Sequence, residues 1–116
     1  MCSSDLSVWG DGTARREFTF VDDVADFIIS SLDHLIELPP MLNVGAGVDH
    51  TVADYHRMAS RIVGFEGELE FDDSQPVGMR QRLMDSSLAV AHGWSAPTSL
   101  HDGMNSAYQD YLRRLT

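Results

Sequence analysis

Between residues 21 and 38 apolar side chains recur every three or four positions, at Val24, Phe27, Ile28, Leu32, Leu35 and Ile36. That spacing predicts one helix with a single buried face, stopped by Pro39 and Pro40. EFTFV, just before it, is short, aromatic and β-branched and reads as a strand, with Asp22 offering a carboxylate to cap the helix. MLNVGAG reads as a buried strand ending in glycines. Thr51 with Asp54 resembles a capping box and opens a helix through Val63, its apolar face carrying Val52, Tyr55, Met58, Ala59 and Ile62 and its end set by Gly64. ELEF alternates as a half-exposed strand does, and a polar loop around Pro76 and Gly78 leads into the extended stretch RLMD. A brief helix is expected from Ser87 to His92, ended by Gly93 and Trp94. Ser99 with Asp102 starts the last helix, striped by Leu100, Met104, Ala107, Tyr111 and Leu115.

Strands alternating with helices argue for an α/β fold, yet only three or four short strands and three to four helices are present. A complete doubly wound sheet cannot be built from them. With 116 residues, 43% of them hydrophobic, and no repeat or low-complexity linker, the chain is one domain's worth that reads as part of something larger. Such a partial unit would expose strand edges and apolar helix faces and be marginally stable or aggregation-prone alone.

Charge narrows the partners. The formal net charge is −10, so the summed field repels nucleic acid and anionic lipid, and an anionic ligand must be held by a local arginine cluster. All eight basic residues are Arg, which excludes any mechanism needing a Lys from this polypeptide. No apolar run is long enough to span a membrane and no signal-peptide pattern opens the chain, so a cytoplasmic location is expected. The single Cys2 excludes an intramolecular disulfide. MCSSDL is a short polar string joined to a segment that begins in mid-pattern, so residues 1–6 are taken as a non-native leader, with the authentic sequence starting near Ser7.

Two arginine clusters carry the candidate chemistry. VWGDGTARREFTF sets Trp9, Arg15 and Arg16 around a glycine-rich turn, and QPVGMRQR sets Arg80 and Arg82 beside a Gly and a Pro. A guanidinium gives phosphate two parallel hydrogen bonds, and an aromatic beside it suits a base or a sugar. Taken alone, each cluster reads more readily as a solvated surface turn than as a binding site. In NVGAG the third glycine of a dinucleotide fingerprint is missing, since position 50 is His, and no acidic residue is placed for a ribose. His34, His50, His56, His92 and His101 form no metal-ligand spacing, and the pairs Asp22–Asp23 and Asp72–Asp73 suit capping and solvation. No metal site is expected.

In order along the chain, VWGDGTARREFTFVDDVAD, LNVGAGVDHTV, VGFEGELEFDDSQPVGMRQRLMD, then GW and a final amphipathic helix together resemble the GDP-L-fucose synthases. These belong to the extended short-chain dehydrogenase/reductase group, the NAD-dependent epimerase/dehydratase family, and the likeness runs from about Val8 to Leu115. The resemblance implies that residues 7–116 are the C-terminal, sugar-nucleotide-binding region of a 3,5-epimerase/4-reductase, a homodimer acting on GDP-4-keto-6-deoxymannose. It implies NADP(H) as cofactor, bound mainly by a Rossmann half absent here. The Ser/Tyr/Lys set for reduction and the Cys and His for proton transfer lie upstream, so no catalytic residue falls in this chain, which alone is expected to be inactive.

What the resemblance carries over is recognition: Trp9 matches a Trp near the substrate, Arg16 the Arg of an R-E-F motif, and Arg82 a basic position facing the diphosphate. Arg80 and Val77 are further substrate-binding positions. Where the family often shows P-D-G-T-P-R-K, this sequence has PVGMRQR, with Val77 in an acidic position and Gln81 in a basic one. Two alternatives stand beside this reading: a related nucleotide-sugar epimerase/reductase with another sugar, and a non-catalytic stand-alone binding domain.

Overall fold

A computed structural model describes residues 5–116. The proposed leader falls mostly outside them, Cys2 included, while Leu6 opens a strand. Four short strands and four helices occur in the order β1 (Leu6–Trp9), β2 (Arg15–Arg16), α1 (Val21–Ser31), β3 (His50–Thr51), α2 (Val52–Val63), β4 (Leu69–Asp72), α3 (Ser87–Ala91) and α4 (Leu100–Arg114). The strands form two separate pairs. β1 lies parallel to β4, with Val8 opposite Phe71, and β2 lies antiparallel to β3, with Arg15 opposite Thr51. One further parallel bridge joins Arg15 to Gln81.

The helix starts read from the sequence hold where the capping chemistry is local. Thr51 Oγ1 accepts from the Asp54 amide and Asp54 returns the bond to the Thr51 amide, closing a capping box on α2. Ser99 Oγ accepts from the Asp102 amide at the start of α4, and Gly64 ends α2 in the left-handed conformation, φ 75°.

Other expectations are corrected. EFTFV forms no ladder beyond Arg16, and MLNVGAG runs without strand pairing. Asp22 does not cap α1: its N-cap is Phe20, with no side-chain bond, and the buried Asp23 turns inward to accept from the Thr98 amide and hydroxyl, 3.1 and 2.8 Å. The helix expected to run to Leu38 ends at Ser31 and continues as a 3-10 segment, Leu32–Glu37, with His34 outside helical geometry.

The core is small. Val8, Ala53, Tyr55, Ala89 and Trp94 are the buried apolar residues, organised by two aromatic contacts: Phe18 stacks on Tyr55 at 4.0 Å and Phe27 meets the Trp94 edge at 5.5 Å. The Trp94 indole donates to the Gly45 carbonyl at 2.7 Å, which pins the unpaired MLNVGAG segment. The face expected to be buried on the first helix is open instead, with Ile28, Leu32, Leu35 and Ile36 exposed, the last at 98%. Total accessible surface is 8316 Å², against about 6,300 Å² for a compact protein of this mass. The radius of gyration is 17.3 Å, against about 13 Å for a compact domain of this length.

Candidate functional site

The two arginine clusters, 60-odd residues apart in sequence, meet. The Arg15 amide donates to the Arg80 carbonyl at 2.7 Å and the Arg82 amide donates back to the Arg15 carbonyl at 3.1 Å, so residues 80–82 lie as a short parallel partner along β2. Side chains alternate across extended backbone. Arg15 and Gln81, opposite each other in the bridge, turn to one face, where both reach Asp49. Arg16, Arg80 and Arg82 fall to the other.

Arg16 is held from its own side of the patch. Its Nη1 donates to the Arg15 carbonyl at 2.7 Å and its Nη2 to the Val77 carbonyl at 3.1 Å. The Tyr55 hydroxyl donates to the Arg16 carbonyl at 2.6 Å, fixing the backbone that carries the guanidinium to α2. Burial pushes the Tyr55 phenol pKa above its ordinary value, so it stays a donor at neutral pH. Arg82 Nε lies 3.4 Å from the Met79 sulfur, and the positive field of Arg80 reaches Asp11.

β1 ends at Trp9, whose indole is 60% exposed, and the chain turns at Gly10 (φ 90°) directly beneath the Val77 side chain. Of the five sequence-predicted positions, Trp9, Val77 and Arg16 thus stand around one turn, and Arg80 and Arg82 reach it through the β2 bridge. An exposed aromatic, an exposed apolar side chain and three guanidinium groups make a surface that can bind an anion attached to a flat or apolar group. Arg15, which the sequence set beside Arg16, is excluded by its ion pair to Asp49 at 2.9 Å.

The NVGAG turn is no cofactor cradle. The Gly47 amide donates to Glu17 Oε2 at 2.8 Å, Glu17 Oε1 also takes the Met84 amide, and the α2 N-terminus is closed by its capping box. The groups a dinucleotide phosphate would use are already partnered, so these residues do not fit NADP(H). No cluster of three metal-ligating side chains occurs among the described residues. A concavity of about 590 Å³ lies away from the arginines, between Phe18, Phe20 and Val48 on one side and Leu100 and Met104 on the other. Of its polar lining groups, Glu17, Thr98 and Ser99 are spent on internal bonds, while Thr19 and His50 also face the groove. No helix among the described residues is long and apolar enough to cross a membrane.

The family model for the NAD dependent epimerase/dehydratase family matches residues 3–45. Over nearly the whole chain, it is 44% identical over 110 residues, 95% of its length, to the GDP-L-fucose synthase of Azorhizobium caulinodans, and 39% identical over 109 residues to the GDP-L-colitose synthase of Yersinia pseudotuberculosis. This chain is homologous to those two synthases. It spans about 35% of the length of each.

Among solved structures, a GDP-6-OMe-4-keto-L-xylo-heptose reductase from C. jejuni superposes with a TM-score of 0.86 and 34% identity, over 95% of this chain and 34% of that one. A GDP-mannoheptose C4 reductase from Campylobacter jejuni with NADP bound gives 0.80 and 34%, over 93% and 35%. The α/β fold is that of part of an extended short-chain dehydrogenase/reductase.

Proposed function

We propose that residues 7–116 are the sugar-nucleotide-binding region of an NADP-dependent epimerase/reductase resembling the GDP-L-fucose synthases. In this reading Arg16 and Arg82 hold the diphosphate, Arg80 adds charge, and Trp9 and Val77 pack against the nucleoside or sugar. The observation that supports it is the joining of the two clusters through the main chain of β2, with Arg16 bonded to the Val77 carbonyl and Trp9 exposed, in a chain with net charge −10. In so acidic a chain, a local cluster of that kind is what a diphosphate requires.

The remaining length of the relatives would supply the Rossmann half, the cofactor site and the reacting side chains, and the isolated chain would bind without turning over. The excess accessible surface and the open face at Leu32–Ile36 support a missing covering body over a stand-alone binding domain. A sugar other than 4-keto-6-deoxymannose is a second reading. It is favoured by Val77, which presents an apolar side chain where the family pattern has an acidic one, and by the similarity to heptose reductases.

Calorimetric titration with GDP, UDP and dTDP at low salt, beside Arg16→Ala and Arg82→Ala, tests the reading. Selective GDP binding lost in both variants is expected. Equal binding of all three, or binding indifferent to both substitutions, overturns it.

A further inference from the structure

Asp49 stands one residue before β3 and is nearly buried, at 9% exposure. Its Oδ1 accepts from Arg15 Nε at 2.9 Å, its Oδ2 from Gln81 Nε2 at 2.6 Å, and its main-chain carbonyl from Arg15 Nη2 at 3.1 Å. Both carboxylate oxygens therefore face inward, on the side of β2 opposite Arg16, Arg80 and Arg82, so Asp49 touches no ligand lying on the arginine face. It grips both partners of the parallel bridge at once, Arg15 from β2 and Gln81 from the arginine-bearing loop. Among the described residues, no other side chain bonds to both of those segments on that face. Resting on the diphosphate reading above, we propose that Asp49 is a positioning residue: it clamps residues 80–82 along β2 and so sets where Arg80 and Arg82 stand relative to Arg16.

The sign of the effect separates this role from simple electrostatics. Asp49 is a negative charge close to an anion site, so by Coulomb's law alone its neutralisation tightens diphosphate binding. As a clamp, its loss weakens binding. Asp49→Asn can accept only one of the two side-chain bonds and offers an amide donor to the other, so one partner is released.

The experiment titrates GDP into the full chain and into Asp49→Asn, Gln81→Leu and the double variant, with hydrogen exchange at the Arg82 amide read in the absence of nucleotide. Expected are a weakening of about tenfold for Asp49→Asn, a smaller weakening for Gln81→Leu at unchanged charge, no further loss in the double variant, and faster exchange at Arg82. GDP bound as tightly or more tightly by Asp49→Asn, with the Arg82 amide still protected, overturns the proposal. If Asp49→Asn loses its fold, Gln81→Leu decides alone: unchanged affinity with a protected Arg82 amide overturns it. If the unaltered chain takes no GDP, the diphosphate reading falls, and the exchange arm still decides whether Asp49 clamps the loop.

Discussion

The Arg16 guanidinium is anchored by the main chain of Val77, its Nη2 donating across 3.1 Å to a carbonyl 61 residues further along. Val77 is in turn held by a missing side chain, because a Cβ at Gly10 would collide with its Cγ1. Gly10 also sits at φ 90°, a conformation that side-chain-bearing residues adopt at a cost of about 1–2 kcal/mol. Gly10→Ala is therefore expected to lower unfolding free energy by at least that amount and to weaken GDP binding with every arginine in place. Urea unfolding with parallel nucleotide titration checks both arms, and an unchanged affinity would show that the Val77 carbonyl does not aim Arg16.

Tyr55 serves two neighbours, stacking on Phe18 and donating its hydroxyl to the Arg16 carbonyl. Tyr55→Phe keeps the ring and leaves that carbonyl without this donor, an expected loss of about 1–3 kcal/mol. Tyr55→Ala removes the ring too and is expected to cost about 3–5 kcal/mol. Denaturant unfolding of the two variants should rank them in that order; equal losses would mean that the hydroxyl bond alone holds the contact.

Acid should loosen the fold. The carboxyls of Asp11, Asp49, Asp54, Asp72, Asp85 and Asp110 are all held below their ordinary pKa, chiefly by hydrogen bonds from Thr13, Gln81, Thr51, Ser74, Ser87 and Arg113 respectively. The unfolded chain takes up these protons near pH 4, before the folded chain does, so in that range the unfolded state binds more protons and stability falls with falling pH. Their contribution is whole above about pH 5 and is lost as the pH drops through 4 and below. Melting temperatures at pH 3 to 7, at about 0.15 M salt to screen the net charge, should be level above pH 5 and drop steeply beneath pH 4.

The open face of α1 and its 3-10 extension is expected to drive self-association of the isolated chain. Substituting Leu32 and Ile36 with Glu should reduce that association, read by sedimentation, without lowering the melting temperature, because neither side chain is buried here. A soluble monomer with a cooperative transition before substitution would count against a missing covering body.

What can be read from the sequence is what is decided within a few residues. Thr51 with Asp54 and Ser99 with Asp102 fix their helix starts through bonds three residues long, and both are legible. β1 is not, because its partner is β4 and nothing near Leu6–Trp9 announces it. EFTFV and MLNVGAG have strand composition but no neighbouring strand to complete a ladder, so propensity alone misleads. Asp22 has the right residue type for a cap but lies inside the helix, since α1 already begins at Val21, and the partner that draws Asp23 inward is 75 residues away.

In the site, the individual arginines are visible in the sequence but their division is not. The bridge from Arg15 to Gln81 sends adjacent Arg15 and Arg16 to opposite faces, and only the β2 partner reveals which one meets an acid. Asp49 escapes sequence reasoning altogether. Its one local signal is a lone carboxylate between a glycine turn and a capping box, with no capping duty of its own.

The parallel pairing of β1 with β4 closes a loop of roughly 60 residues, which costs far more chain entropy than the local turns and caps that precede it. A fold rich in contacts so remote in sequence folds more slowly than one built from local contacts. Trp9 rides on the end of β1 opposite Asp72, so the placing of its indole rests on that pairing. The turn that Trp9, Gly10 and Val77 share therefore depends on long-range closure, as the Asp23–Thr98 and Arg15–Arg80 contacts do.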